Sequence, residues 1–251
     1  MLFAILLKVM KQKNNSSVGK LLRDRAALVQ RGGVRAAVLG INDGLVSTLC
    51  LVVGVAATGA APWAVLTVGL AGLLAGAISM SAGEWISVKA QVELFEGVLD
   101  DLKIAMKKDK PQLIHSLAHA LAGRGMDIEI AHKAAADVAH DDKHFRALYS
   151  AQVIGMNVDE LGSPWQVAGS SFLLFAIGAF VPIIPWLFIT GHLGVIFSVL
   201  LTSLAGLFVG AFIAKSSGKS IAYGALRQLL IILGSAAITY GIGYIFGTVA
   251  K

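Results

Sequence analysis

The sequence predicts an all-α membrane protein with five transmembrane helices and a helical domain inserted between the second and third. Only 14% of the 251 residues are charged, whereas a soluble domain carries about 25%. Five stretches are each apolar over roughly the 20 residues that a helix needs to cross a bilayer. They cover approximately residues 34–57, 63–88, 165–189, 193–214 and 226–248.

Composition divides the chain into four segments. Residues 1–33 form a basic N-terminal arm, 34–89 hold the first two spans, 90–164 are polar, and 165–251 hold the last three spans. The polar segment contains most of the acidic residues and five of the six histidines. We therefore expect it to form a separate domain outside the hydrocarbon.

Turn and cap signals predict short helices in this polar segment. Pro111 is suited to the first turn of a helix, and Gly123-Arg124-Gly125 ends that helix after Ala122. Asp127 and Asp141 are placed to cap the two helices that follow. The segment should therefore fold as a small helical domain.

The distribution of lysine and arginine predicts the orientation in the membrane. These residues lie in the N-terminal arm, in the polar segment and in the loop 215–227, while the loops near Gly59 and Gly191 carry none. Basic loops face the cytoplasm, so the N-terminus and the polar domain should be cytoplasmic and the C-terminus outside. The net charge of +6 follows from this pattern, and no nucleic-acid partner is predicted.

Asp43 is the strongest candidate functional residue in the spans. It lies about nine residues, or roughly 13 Å, into the first span, where a carboxylate is costly and usually marks an ion or proton pathway. Asn42 precedes it, and Ser47 shares its helix face one turn later. The alternative is a structural carboxylate that caps a neighbouring helix or pairs with a basic side chain.

Met80 and Glu84 lie one helical turn apart near the cytoplasmic end of the second span. Gly72 and Gly76 continue the same face, and small residues allow a second helix to approach closely. A thioether beside a carboxylate suits a transition metal better than Mg(II) or Ca(II), which prefer oxygen ligands only. The alternative is a packing methionine and a hydrated glutamate.

The polar domain offers further candidate metal ligands. Glu93, Glu96 and Asp100 step by three and four residues and so share one helix face. His115 and His119 have the same helical spacing, as do His140 and His144. Such histidine pairs can bind Zn, Co, Ni or Cu, or can simply form a hydrated helix face.

An enzymatic reading has less support. Glu129 and His132 form an E-x-x-H motif, but a di-iron carboxylate bundle needs two such motifs and two further glutamates. Only one motif is present, so we do not predict a di-iron oxidase. The single cysteine, Cys50, excludes an intrachain disulfide framework.

The combined motifs resemble the vacuolar iron transporter family. They are N-D-G-L-V-S in the first span, G-A-I-S-M-S-A-G-E-W-I-S-V-K-A-Q in the second, and an acidic helical domain that ends in D-E-L-G. The similarity extends over about Gly32 to Thr248. It implies a homodimer with five spans per chain that exports Fe(II), or a similar divalent ion such as Mn, Co or Zn, in exchange for protons. The metal is then cargo, and no cofactor is expected.

The resemblance also implies roles for particular residues. The ion path would run between the subunits, with Asp43 as its membrane-embedded acid and Met80 and Glu84 at its cytoplasmic end. The family's cytoplasmic domain gathers metal through glutamates and a methionine. The residues at corresponding positions here are Glu93, Glu96, Met156 and Glu160.

The chain departs from the family pattern in the second cytoplasmic helix. Residues 111–119 contain no acid, and Asn157 stands where a glutamate is common. Either the domain binds little metal, or histidines replace carboxylates and shift its preference towards Zn, Co or Ni. A membrane-tethered metal sensor or buffer is the alternative function. The compact chain favours a bacterial plasma membrane.

Overall fold

In the computed structural model, residues 33–156 and 162–249 are described, and they are helical with no strand among them. A short π-helix, Ser150–Ile154, follows the fourth α-helix, and a 3-10 helix, Ile184–Leu187, follows the fifth. The α-helices in chain order are α1 (Gly33–Ala57), α2 (Pro62–Ala122), α3 (Ile128–Val138), α4 (Asp142–Tyr149), α5 (Pro164–Ile183), α6 (Gly191–Ser216) and α7 (Ile221–Val249).

Five of these helices, α1, α2, α5, α6 and α7, are long and apolar enough to cross a membrane. The predicted fold class, an all-α membrane protein, is confirmed. One difference at a span boundary concerns α7, which begins at Ile221 rather than near residue 226. Residues 221–225 are apolar or small, so the helix extends one further turn towards its N-terminus.

Helix α2 continues well beyond the predicted end of the second span near Val88. Its backbone leaves the helical conformation at Asp109 (φ −152°, ψ 69°), and the Asp109 carboxylate accepts a hydrogen bond of 3.1 Å from the Gln112 N–H. Asp109 thus acts as an N-cap, and Pro111 lies in the first turn, where proline needs no N–H partner. The prediction that Pro111 opens a new helix is confirmed.

The chain forms two compact units, Met1–Trp85 with Trp165–Lys251, and Ile86–Pro164. In the first unit, a core of apolar side chains joins α1, α2, α7 and the end of α5. Its fully buried members include Leu49, Val52, Val65, Ile183 and Ile232. Helix α1 also contacts α6 and α7 along its length.

Glycines bring the backbones of α1 and α5 into direct contact. A Cβ atom on Gly44 would lie 2.3 Å from the carbonyl oxygen of Phe175, and one on Gly178 would lie 2.3 Å from the carbonyl oxygen of Ile41. No real Cβ atom comes this close to a backbone oxygen, so both positions require glycine. In a membrane, such close packing replaces the hydrophobic driving force that is absent between helices.

Two glycines on α2, Gly72 and Gly76, allow side chains of neighbouring helices to approach the α2 backbone closely. A Cβ on Gly72 would lie 2.3 Å from the end of the Leu51 side chain, and one on Gly76 would lie 2.2 Å from the Phe175 ring. The prediction that Gly72 and Gly76 admit a close neighbour is confirmed. The neighbours are side chains of α1 and α5.

The second unit has its own core and well-formed helix caps. Leu117, Ala131 and Phe145 are fully buried in that core. The Asp127 carboxylate accepts hydrogen bonds from the N–H groups of Glu129 and Ile130 at the start of α3, which confirms the predicted cap.

Asp141 caps α4 in the same way, as predicted. The backbone N–H of His144, then its ring and the N–H of Lys143, stabilise the carboxylate and lower the pKa of Asp141. Because the pKa is lowered by folding, the cap contributes its stability above the ordinary carboxyl range. That contribution is lost only as the pH falls through the lowered value.

We expect Gly44→Ala to destabilise the protein by about 1–3 kcal/mol, the usual cost of overpacking a tight interior. The added methyl group forces apart α1 and α5, because the atom in its way is a backbone oxygen. The measurement is thermal or denaturant unfolding of the detergent-solubilised protein.

The matched control is Gly169→Ala, since Gly169 also lies in a spanning helix and its Cβ would have nothing within 4 Å. This change should be neutral or slightly stabilising. Equal stability of the two variants would contradict the proposed clash at Gly44.

Candidate functional site

Asp43 lies on an exposed stripe of α1. Leu39, Asp43, Ser47 and Leu51 follow one another at four-residue intervals, and all four side chains are exposed in the single chain. The spanning part of α1 begins at Ala37, so Asp43 lies six residues, or about 9 Å, along it. The structure therefore places an acid on an outward face of a membrane helix, within the span.

Nothing in the described part of the chain accounts for Asp43 as a structural carboxylate. The ion pairs among the described residues do not include it, and no described N–H group is capped by its side chain. Ser47 donates its hydroxyl proton to the Asp43 backbone carbonyl, not to the carboxylate.

Asn42 is half-buried and lies about 100° around α1 from Asp43. Its side-chain oxygen accepts a hydrogen bond from the Nε2 group of Gln228 in α7, and only 5% of Gln228 is exposed. Asn42 therefore connects two helices, and its predicted place in the ion path beside Asp43 stays a prediction. Gln228 lies inside the predicted fifth span, but it was not singled out from the sequence. An isolated amide at the edge of an apolar run was the signal that could have identified it.

Met80 and Glu84 are both half-buried on α2. Met80 packs against a small core of Ala77, Phe175 and Ala179, so it makes packing contacts as well as presenting a sulfur atom. Phe175 also contacts Gly76 through its ring and Gly44 through its backbone oxygen. One buried residue of α5 thus adjoins both the segment that bears Asp43 and the segment that bears Met80.

Two tryptophans pack against each other next to Glu84. The next residue, Trp85, packs on Trp165 at the start of α5, with ring centroids 5.6 Å apart. Tryptophan is enriched where the bilayer meets water. We therefore expect Glu84 to lie near the edge of the hydrocarbon, where a carboxylate can stay hydrated and can meet ions from the water.

The acids predicted to bind metal in the second unit are exposed and partly paired with lysines. Glu93 forms an ion pair with Lys89 (3.2 Å) and Asp100 with Lys103 (2.5 Å), and Glu96 is also exposed. Exposed pairs of this kind contribute about 0–1 kcal/mol, so an incoming cation can displace the lysine. The role of these three acids in metal binding stays a prediction.

Of the other predicted ligands in this unit, Met156 is half-buried directly after the π-helix. Its N–H donates a 2.8 Å hydrogen bond to the Ser150 carbonyl. Glu160 lies outside the described residues. His115 and His119 are brought together, as their spacing predicted, and His132 joins them from α3.

This triad was not foreseen, because the sequence paired His132 with Glu129 in the E-x-x-H motif. Within residues 33–156 and 162–249, it is the one group of three or more potential ligands whose binding atoms all lie close together. The short turn between α2 and α3 was the signal that could have placed these histidines side by side.

Comparison with known proteins identifies the family. The model of the VIT family matches residues 34–244. The chain belongs to the VIT family. Vacuolar iron transporter homolog 1 of Oryza sativa subsp. japonica is 32% identical over 215 residues, 85% of this chain and 74% of the relative. Homolog 2 of the same species is 32% identical over 222 residues, 86% and 92%.

A third relative, vacuolar iron transporter homolog 2 of Arabidopsis thaliana, is 28% identical over 215 residues, 85% of this chain and 84% of the relative. The VIT family consists of membrane transporters rather than enzymes. The family resemblance and the exclusion of an enzyme, both predicted from the sequence, are therefore confirmed. The matched region contains both spans that carry Asp43 and Met80.

Asn42 and Gln228 should be energetically coupled in this VIT family member. A double-mutant cycle with Asn42→Ala, Gln228→Ala and the double variant should give a coupling free energy of about 0.5–1.5 kcal/mol, typical of a buried hydrogen bond between helices. The measurement is unfolding in detergent. Strict additivity of the two single changes would show that the bond contributes no stability.

Proposed function

We propose that this VIT family protein carries Fe(II), or a similar divalent transition metal, out of the cytoplasm in exchange for protons. The path would lie between two copies of the chain. The observation that carries the proposal is the exposure of Asp43 on the outer face of the membrane unit. The names of the relatives support iron as cargo.

The exposed acid argues for a partner. A carboxylate at this depth that faced lipid would cost several kcal/mol, and the described residues of the single chain give it no counter-charge. A second copy that covers the stripe of Leu39, Asp43, Ser47 and Leu51 removes this cost. Two-fold symmetry makes such an interface self-complementary, so the two Asp43 residues would face each other.

Symmetry also completes a metal site. Met80 and Glu84 from two chains supply two sulfur and two oxygen ligands, and this mixed set suits a transition metal better than Mg(II) or Ca(II). Glu84, at the water boundary, would receive the ion. Met80, one turn deeper, would pass it on towards the paired Asp43 residues.

Proton coupling would arise at Asp43. Two carboxylates held close together repel each other, and retention of one shared proton relieves that repulsion. An arriving divalent cation displaces the proton, and release of the cation on the far side lets the pair bind a proton again. One site would then serve both ions in alternation.

The charge distribution supports the proposed direction of transport. Lysine and arginine are concentrated in the N-terminal arm, the second unit and the loop 215–227, so these parts would face the cytoplasm. Glu84 would then open to the cytoplasm and metal would leave it. We place the protein in a bacterial plasma membrane, with its C-terminus outside.

The first test is metal flux in proteoliposomes with an imposed pH gradient. Fe(II), Mn(II), Co(II) and Zn(II) are compared on wild type and Asp43→Asn, with Asp137→Asn as a control acid that is exposed in the second unit. Wild type and Asp137→Asn should show gradient-driven flux. Asp43→Asn should fall to the level of protein-free vesicles, because it cannot exchange a proton.

Undiminished transport by Asp43→Asn would refute coupling at this residue. Flux of Co(II) or Zn(II) without Fe(II) would support a transporter whose cargo is one of these metals rather than iron. Absence of flux for every metal in wild type would contradict the proposal and favour the sensor or buffer.

The second test is cross-linking at the α1 stripe. In a Cys50→Ala background, Ser47→Cys should give covalent dimers in membranes with a short thiol-reactive cross-linker, since residue 47 would face its own copy. The control is Leu230→Cys, which is 61% exposed on α7. Dimers that formed as readily from the control, or none from Ser47→Cys, would argue against this interface.

A further inference from the structure

We propose that His115, His119 and His132 form a binding site for a borderline divalent transition metal such as Zn(II), Co(II) or Ni(II). The site lies wholly in the second unit, Ile86–Pro164. It does not depend on the proposed transport, because none of its residues belongs to the membrane path.

Two helices and a tight turn build the site. His115 and His119 are one turn apart near the end of α2, and His132 lies one turn into α3. Only residues 123–127 separate the helices, and Gly125 takes the positive φ of 96° that the turn requires. The turn reverses the direction of the chain, so the start of α3 packs beside the end of α2.

The separations are close to those of a bound metal. Each histidine offers a ring nitrogen, and these atoms all lie within 4.8 Å of one another. A tetrahedral zinc with Zn–N bonds of about 2.0–2.1 Å holds its nitrogens roughly 3.4 Å apart. His115 and His119 are exposed, so small side-chain rotations can close this gap.

The backbone beneath the histidines is firmly held. Leu117 and Ala118 lie between the two histidines of α2, and Ala131 directly precedes His132; all three have no exposed surface. They belong to one core that joins the two helices. Metal binding therefore needs only side-chain adjustment, which keeps its entropic cost low.

The ring packing distinguishes this group from a hydrated helix face. The His115 ring lies 4.4 Å from that of His119, in an edge-to-face arrangement, and 5.2 Å from that of His132. A hydrated i, i+4 pair does not require a third histidine from another helix. The convergence of three rings on one point is what a ligand set requires.

The donor set indicates the class of metal. Three neutral imidazoles suit Zn, Co, Ni or Cu, and the general order of affinity places Mn(II) and Fe(II) below them. Three protein ligands leave a fourth position for water or another donor. The site would thus bind reversibly, and it would prefer metals other than the iron proposed as cargo.

The experiment is a Co(II) titration of the purified full-length protein in detergent, followed by the visible absorption of tetrahedral Co(II). Wild type is compared with His132→Ala and His115→Ala. Each substitution should weaken the tetrahedral Co(II) signal and the affinity for Co(II) by about tenfold or more, since loss of even an outer-shell partner of a metal ligand typically costs 10–100-fold. Zn(II) should displace the Co(II) from wild type.

The matched control is the other histidine pair with the same spacing, tested as His140→Ala and His144→Ala. The Nδ1 atom of His144 lies 2.8 Å from a carboxylate oxygen of Asp141. Neither His140 nor His144 belongs to the triad. Both control variants should retain the Co(II) signal. Equal loss in the control variants, or an unchanged signal in both triad variants, would overturn the proposal. His115 is exposed, so His115→Ala tests the site even if His132→Ala fails to fold.

Discussion

The close contact between the backbones of α1 and α5 is the constraint on which the membrane unit depends. At Gly44 and Gly178, each helix presses against a carbonyl oxygen of the other, and there is no room for a methyl group. Van der Waals packing of this kind is the main attraction between helices in lipid. Because Gly44 directly follows Asp43, one of these close backbone contacts adjoins the residue proposed to carry the chemistry.

This contact and the Asn42–Gln228 bond together determine which way α1 faces. The side of α1 that carries Gly44 packs on α5, and Asn42 bonds to α7. The remaining side, with Leu39, Asp43, Ser47 and Leu51, is left exposed. The packing of the single chain thus leaves Asp43 exposed. This exposure is the reason for proposing that a second copy of the chain covers it.

Much of the fold was predictable, because apolar length, basic loops and helix caps are local signals. Asp127, Asp141 and Pro111 act in the structure as the sequence indicated. The candidate site was only partly predictable. Spacing shows which residues share a helix face, but not which face turns inward, so the bond between Asn42 and Gln228 was not foreseen. Likewise, His132 lies 13 residues after His119, and only the turn between α2 and α3 shows that they meet.

The amide pair that orients α1 has a further consequence. Asn42 and Gln228 carry no titratable proton, so their hydrogen bond is the same at any pH that the protein meets. Asp43, one residue along, is the group proposed to gain and lose protons. The hydrogen bond that helps to set the rotation of α1 is therefore independent of the charge state of Asp43.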